Sequence, residues 1–457
     1  MTYKNDTIVS RVTPEVRCNI GIIRISGPLA FQVSIQVLGK IPLSRYASYL
    51  PFLDSSGKIL DYGIALWFPK PHSFTGEDSL ELQGHGNPII IDLLIASILT
   101  ISNVRLAKPG EFSERAFLNG KIDLVQAESI VDLINATSEQ SARAALRSLQ
   151  GLFSFHVNNL IKKFIKFRVM IETLINFSED EIELDYKYNI KNEINKLINL
   201  LNNIYNISTQ GAVLREGVKI VICGHPNSGK SSLLNSLSCT NRAIVTDIPG
   251  TTRDVIYECI NIRGVLFHLV DTAGLRLTKD LVERIGIEFA WKEINLADHI
   301  LFIIDGSSSK NDQTKNYTEF LSMLSKNINI TVVFNKLDLK NFKVYINDFK
   351  KHNYILVSAK TGRGIEKLRK HLYDIYKTNK IFDDNESIFL ARRRHIDILL
   401  KILNCIKESK KNWKKYHNIE LLAEDIRICQ DLLNSITGSF TSDQLLSDIF
   451  SNFCIGK

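Results

Sequence analysis

Three textures of hydrophobic patterning follow one another along the chain. Up to about residue 118, short apolar runs alternate with turns. Ile20-Gly21-Ile22-Ile23-Arg24-Ile25-Ser26-Gly27 ends in a turn, Tyr62 to Phe68 is a second run, and Ser79-Leu80-Glu81-Leu82-Gln83 alternates with period two. Such runs predict strands. Gly84-His85-Gly86-Asn87-Pro88 predicts a break before a helix from Ile89 to Thr100, with His85 read as a turn residue. From about Lys121, the positions Ile122, Val125, Ile130, Leu133 and Ile134 recur on one helix face, and the pattern continues through Leu146, Leu149, Leu152 and Leu160 to Ile175. Asp180 to Asn206 is again helical in pattern. Between about 216 and 377 strand and helix signals alternate. A polar link from Lys377 to Glu386 follows, and helical patterning resumes from Ser387 to Leu433. The predicted fold class is multidomain α/β plus α: a mixed α/β domain at 1–118, a helical domain split between 119–215 and 378–457, and a doubly wound α/β domain at 216–377 inserted in it. Insertion is tolerated where a domain's termini lie close together.

Chemistry enters at the first strand of the inserted unit. The apolar run Val218 to Cys223 leads into Gly224-His225-Pro226-Asn227-Ser228-Gly229-Lys230-Ser231, followed by Ser232-Leu233-Leu234 at helical spacing. This fits the phosphate-loop pattern in its required strand–loop–helix context. Glycines let backbone N–H groups turn inward on an anion at a helix N-terminus. Lys230 would reach the β- and γ-phosphates, and the Ser231 hydroxyl would bind Mg²⁺. Leu266-Phe267-His268-Leu269-Val270 ends in Asp271-Thr272-Ala273-Gly274, where the carboxylate can hold the metal through water and Gly274 can sense the γ-phosphate. Ile330 to Phe334 runs into Asn335-Lys336-Leu337-Asp338. A carboxylate at Asp338 can accept from N1–H and the 2-amino group of guanine, which adenine does not offer in that pattern. Ser358-Ala359-Lys360 follows another short strand and suits the back of the base. Four motifs in order, each at the C-terminal end of a strand, predict a guanine-nucleotide site on a doubly wound sheet.

The segment Thr246-Asp247-Ile248-Pro249-Gly250-Thr251-Thr252-Arg253-Asp254 stands where a metal-contacting switch belongs, with Thr252 the partner of Ser231 on Mg²⁺. Leu275 follows Gly274, in the position where Ras-like enzymes place a water-orienting glutamine, and leucine cannot do that work. Either hydrolysis is slow or another polar residue does this work; among Arg276, Asp280, Glu283 and Arg284, a carboxylate, Glu283 or Asp280, is the better acceptor for the attacking water.

Composition narrows the partners. With 457 residues, 44% hydrophobic and 23% charged, the chain has the balance of a soluble globular protein of several domains. The longest apolar stretch, Ile89 to Ile101, contains Asp92 and is too short to span a bilayer, and the first ten residues lack a signal pattern. Seven scattered cysteines without a C-x-x-C pair argue against a disulfide framework and fit a reducing cytoplasm. A net charge of +8 permits a polyanionic partner without requiring one. Nine Lys/Arg lie between Arg392 and Lys415 against Asp397 and Glu408, which suits either a phosphate backbone or an ordinary solvated helix face.

The phosphate loop, the Thr246 to Asp254 loop, Asp271-Thr272-Ala273-Gly274-Leu275-Arg276 and the terminal Phe453-Cys454-Ile455-Gly456-Lys457 together resemble the MnmE (TrmE) family of bacterial tRNA-modification GTPases. So do Gly21 to Gly27, Leu80 to Gly86, Pro109-Gly110-Glu111-Phe112 and Asn119-Gly120-Lys121-Ile122-Asp123, so the likeness covers essentially the whole chain. The resemblance implies a cytoplasmic homodimer. With MnmG, an FAD/NADH-dependent partner, it would install an aminomethyl-type group at C5 of the wobble uridine of certain tRNAs. It implies a reduced folate (5-formyl- or methylene-tetrahydrofolate) on Arg24, Glu81, Lys121 and Lys457. It implies K⁺ on Asn227, Thr246, Ile248 (through its carbonyl) and Thr251, and catalytic roles for Glu283, which orients the water, and for the C-terminal cysteine, Cys454. Two departures stand out: Ser228 replaces the usual Ala, and Pro249 removes one backbone donor and fixes one φ angle in the K⁺ loop. The competing reading is a regulatory or ribosome-assembly GTPase that binds RNA without modifying it. The N-terminal region and the Cys454 tail, which such a factor would not need, favour the enzyme.

Overall fold

The computed structural model describes residues 6–176, 184–238, 257–271, 291–324, 328–343, 345, 349, 352–376, 388–438, 449 and 456. The chain divides into two compact units. One comprises Met1–Val131, Ser148–Leu201 and Ile398–Lys457, and the other Asp132–Arg147 and Asn202–Asp397.

In the first unit, strands β1 (Thr7–Arg11), β2 (Cys18–Ser26), β3 (Ser48–Leu53), β4 (Ile59–Phe68), β5 (Ser79–Gly86) and β6 (Val104–Leu106) form one sheet in the order β3-β4-β5-β2-β1-β6. All neighbours are antiparallel except β1 and β6. Period-two alternation sends Ile23, Ile25, Leu80 and Leu82 to one face. There they pack against Val33 and Val37 of helix α1 (Ala30–Leu38) and Ile91, Leu94 and Ile98 of α2 (Pro88–Ile98). The expected break at Gly84-His85-Gly86 is corrected: β5 continues to Gly86, and His85 lies in the strand with its Nδ1 2.7 Å from Asp61 Oδ1. The glycines serve close approach instead of a turn, since a Cβ at Gly86 would lie 2.4 Å from the Cys18 carbonyl oxygen. After α3 (Glu111–Leu118) come α4 (Leu124–Ile134) and α6 (Leu152–Asn176), mostly or wholly in this unit, whereas α5 (Glu139–Leu149) belongs largely to the second unit and α7 (Leu184–Glu216) runs from the first into the second.

The second unit holds β7 (Val218–Gly224), α8 (Lys230–Ser238), β8 (Tyr257–Ile262), β9 (Val265–Asp271), β10 (His299–Asp305), α9 (Lys310–Met323), β11 (Asn329–Asn335), β12 (Asn353–Leu356) and α10 (Ile365–Tyr376). Its sheet runs β12-β11-β10-β7-β9-β8, parallel throughout except for the β8–β9 hairpin. Central strands of such a sheet are covered on both faces, which is why they read as unbroken apolar runs. Ile220 and Ile222 of β7 meet Leu233, Leu237, Leu368 and Leu372 on one side. Val221 and Cys223 meet the layer of Phe302, Tyr317 and Phe320 on the other.

The helical run expected from Ser387 to Leu433 is corrected as well. Residues 388–391 are buried without helical structure, and two helices follow, α11 (Arg393–Tyr416) and α12 (Ile419–Thr437). His417 adopts φ 52°, and the Asn418 side chain accepts from the Leu421 N–H, so a polar cap starts a new helix where apolar spacing alone shows no interruption.

Candidate functional site

Strand order reverses at β7, whose neighbours β9 and β10 connect to opposite sides of the sheet, so the crevice lies at the C-terminal ends of these strands. The loop after β7 is shaped by backbone freedom. Gly224 has φ 148°, and a Cβ there would stand 2.4 Å from the Ile303 carbonyl oxygen; Gly229 has φ 94°, and its Cβ would strike Asn335 Nδ2. Only residues without a side chain fit both places. Asn227 also takes a left-handed φ, 63°.

Lys230 opens α8 with its ammonium over the loop, donating to the Gly224 and His225 carbonyls at 3.1 and 3.2 Å. Burial lowers its pKa, while Asp271 nearby opposes that shift. Ser231 Oγ donates to Asp271 Oδ2 at 3.1 Å, and the buried Asp271 Oδ1 has no hydrogen-bond partner among the described residues. A hydroxyl beside a carboxylate with an unused buried oxygen is a donor set suited to a hard divalent cation such as Mg²⁺. Ser232 follows on the exposed side of the helix.

The base side is assembled by Asn335, which ties three segments together. Its Nδ2 donates to the Ser228 carbonyl at 2.9 Å, and its Oδ1 accepts from the Ala359 N–H at 3.0 Å. Asp338 Oδ1 accepts from Ser358 Oγ at 2.6 Å, and this bond lowers the Asp338 pKa. Lys336, at φ 69°, places its Nζ 2.6 Å from Asp305 Oδ2. Lys360 adds a second positive charge beside Asp338. The structure therefore brings together Asn227, Ser228, Gly229, Lys230, Ser231, Asp271, Asn335, Lys336, Asp338, Ser358, Ala359 and Lys360. Thr246, Asp247, Ile248, Pro249, Gly250, Thr251, Thr252, Thr272, Ala273, Gly274 and Glu283 lie outside the described residues.

Asp305 and Ser236 were not singled out from sequence. Asp305 ends β10 and fixes Lys336, and burial opposes the Lys336 and Ser307 bonds that hold its carboxyl below the usual range. Its signal was a lone carboxylate closing an apolar strand. Ser236 Oγ donates to the Ala359 carbonyl at 2.5 Å, and no local pattern announces that contact.

In the first unit, Arg24 of β2 and Glu81 of β5 are register partners, with Arg24 Nε donating to Glu81 Oε1 at 2.8 Å. The Arg24 guanidinium also lies 5.8 Å from the centroids of both the Phe74 and Phe112 rings. Lys121 Nζ donates to the Pro71 carbonyl at 2.9 Å, and its methylenes pack under Gly76. Arg24 and Lys121 thus both border the loop that carries Phe74. Cys454 and Lys457 lie outside the described residues. Gly456 is buried at the end of β1, where a Cβ would sit 2.6 Å from the Arg11 carbonyl oxygen. Arg11 pairs with Ile23, one residue before Arg24.

Among the described residues no helix is long and apolar enough to cross a membrane. The chain matches the family described as GTP-binding protein TrmE N-terminus over residues 7–121, and the MnmE helical domain over 124–454. It is 64% identical over 460 residues to the tRNA modification GTPase MnmE of Buchnera aphidicola subsp. Baizongia pistaciae, all of both chains being covered. The protein of the same name from Buchnera aphidicola subsp. Schizaphis graminum is 52% identical, over 99% of this chain and 100% of that one. Among solved structures, the G domain of the T. maritima FeoB iron transporter is similar over 35% of this chain and 98% of its own, at 23% identity and a TM-score of 0.28. Over its whole length, the chain belongs to the MnmE (TrmE) family of tRNA modification GTPases.

Proposed function

We propose that the chain hydrolyses GTP to drive modification of tRNA at C5 of the wobble uridine, adding an aminomethyl-type group. It would take the one-carbon unit from a reduced folate and act with the FAD/NADH-dependent partner MnmG. The carrying observation is that one chain holds the nucleotide crevice, the Arg24–Glu81 region and a terminus seated beside it, at 64% identity to a tRNA modification GTPase over its full length. The proposed boundaries are 1–118 for the folate and dimerisation domain, 119–215 with 378–457 for the helical domain, and 216–377 for the GTPase domain.

In this reading the loop N–H groups and Lys230 hold the β- and γ-phosphates, while Asp338 selects guanine and Ser358 to Lys360 back the base. Ser231 and Thr252 would hold Mg²⁺, with Asp271 acting through water, and Asn227, Thr246, Ile248 and Thr251 would hold K⁺; bound there, the two ions would supply positive charge against the phosphate oxygens, K⁺ in place of an arginine finger. Glu283 accepts a hydrogen bond from the water that attacks the γ-phosphorus, a task Leu275 cannot perform. A carboxylate held by an arginine at 2.8 Å suits the pterin end of a folate, Glu81 accepting from the pterin amide and amino N–H groups while Arg24 orients the carboxylate; the glutamate tail at the other end would fall to the lysines. Cys454, the family's C-terminal cysteine, is counted with Glu283 as a catalytic residue, with no chemical step assigned to it.

A homodimer is supported by the edge of the first unit's sheet. Tyr49, Ile59, Tyr62 and Ile64 are exposed there, Tyr49 faces Ile64 in register, and the rings of Tyr49 and Tyr62 stack at 6.1 Å. An edge strand with exposed aromatic side chains is a natural pairing surface.

The test is expression of the chain in a bacterial host whose own family member has been deleted. Nucleoside mass spectrometry of its tRNA should then recover C5-substituted uridines. Wobble uridines that stay unmodified although the chain hydrolyses GTP would favour the assembly-factor reading.

A further inference from the structure

A second charged concavity lies in the same unit as the nucleotide crevice and is not used by it. A cleft of about 390 Å³ opens between the β8–β9 turn and α10, lined by Asn261, Arg263, Glu366, Lys367, Arg369 and Lys370. That size is within the range of small-ligand sites. Four cations face one carboxylate.

The cations are held in different ways. Arg263 sits in a two-residue hairpin turn at φ 51°, followed by Gly264 at 88°, and its guanidinium lies 5.3 Å over the Tyr373 ring of α10. The ring fixes the arginine above the helix without neutralising it. Lys367 and Lys370 are three residues apart on the exposed face of α10. Arg369 lies beneath them with only 8% of its side chain exposed. Its Nη2 donates to the Leu237 carbonyl and its Nη1 is 3.6 Å from Glu366 Oε1, yet its buried Nε–H has no acceptor among the described residues. A buried donor without a partner is costly, and an anion entering the cleft would supply the oxygen. The cleft stands at the N-terminal end of β9 and the nucleotide loop at the C-terminal end of the parallel β7, so the two are separated by about the length of a strand, ~20 Å.

We propose that this cleft is a binding site for a phosphate-bearing anion, either the backbone of an RNA strand or a free oligophosphate. Phosphate offers several acceptor oxygens at once, which matches two guanidinium and two ammonium groups converging from a turn and a helix.

The test uses the full chain saturated with GDP and Mg²⁺, so that the nucleotide site does not contribute. Tripolyphosphate is titrated by calorimetry and labelled tRNA by fluorescence anisotropy, against wild type and the double variant Arg263→Glu/Lys370→Glu. Both positions are exposed, and an unchanged GTP hydrolysis rate serves as the check on folding. The expected result is a loss of affinity of about tenfold or more in at least one titration. A loss for tRNA identifies RNA backbone as the occupant; a loss for tripolyphosphate alone identifies a free oligophosphate. Unaltered affinity in both titrations, including no measurable affinity for either, overturns the proposal. The tRNA arm rests on the function proposed above. Failure of wild type to bind tRNA would count against that function, and the tripolyphosphate arm would still decide on the cleft.

Discussion

Asp338 is fixed before any base arrives, because the Ser358 hydroxyl donates to one of its oxygens at 2.6 Å. A carboxylate has lone pairs to spare, so the same group can still accept from guanine. Replacing it with Asn turns one acceptor into a donor that faces the guanine donors. Asp338→Asn is expected to weaken GTP by about 1–3 kcal/mol and strengthen xanthosine triphosphate. Competition binding checks this, and an unchanged preference for GTP would show the base contact to be elsewhere. Asn227 carries the second prediction at this scale. Hydrolysis in KCl should exceed that in NaCl at equal ionic strength severalfold, and Asn227→Ala should erase the difference while sparing nucleotide affinity; equal rates in wild type would rule out a K⁺ requirement. Residues such as Lys230, Ser231 and Asn335 were legible in the sequence because phosphate and guanine chemistry fix both residue type and spacing. Asp305 was not, since its partner Lys336 is 31 residues away and only the parallel pairing of β10 with β11 brings them together.

Elements were legible wherever burial writes a period into the sequence. The unbroken runs of β7, β10 and β11 reflect cover on both faces, and the alternation of β5 reflects cover on one. Glycine was ambiguous: at Gly84 and Gly86 it permits close approach within a strand that the turn reading had ended. The α11–α12 boundary escaped for a different reason, because apolar spacing on either side of His417 stays helical and only the Asn418 cap marks the restart. A third prediction concerns strands β10 and β11 with helix α10. His299 Nε2 and His371 Nε2 each lie 2.9 Å from Thr331 Oγ1, so one hydroxyl bridges two imidazoles. Burial, helped by the charge of His371, pushes His299 down to about 4 from the ordinary 6.5. The unfolded chain takes up this proton below 6.5 and the folded chain does not until about 4. Stability from this group is therefore full above the ordinary value and lost as pH falls through that window, by about 3 kcal/mol in all. Urea unfolding at about pH 7 and about pH 5 should show a smaller difference for His299→Gln than for wild type. Equal differences in both proteins would mean that His299 does not titrate as described.

At the scale of the molecule, the proposed folate site joins parts of the chain that sequence order holds far apart. Antiparallel pairing of β2 with β5 sets Arg24 against Glu81, a separation of 57 residues closed to 2.8 Å. Lys121 reaches the loop that carries Phe74, and Gly456 packs against Arg11, whose strand partner precedes Arg24. The proposed site would therefore draw on the sheet, the segment after α3 and the far terminus at once. No local pattern could suggest that; the residues were proposed only through likeness to a family. The Arg24–Glu81 pair makes a sharper prediction than either residue alone. Removing Glu81 leaves Arg24 between two rings without its carboxylate, so a loss of folate binding in Glu81→Ala could reflect a displaced arginine. Glu81→Gln separates the two: its one oxygen still accepts from Arg24, but the second acceptor oxygen, which the pterin N–H pair needs, becomes a donor. Calorimetric titration with 5-formyltetrahydrofolate should give binding for wild type. It should give a loss of about 1–3 kcal/mol for Glu81→Gln, and a loss for Arg24→Ala as well, which leaves the carboxylate without the arginine that orients it. Full affinity in Glu81→Gln would limit the carboxylate to positioning Arg24. No heat with wild type would remove the folate from this site and the one-carbon step from the proposed function with it.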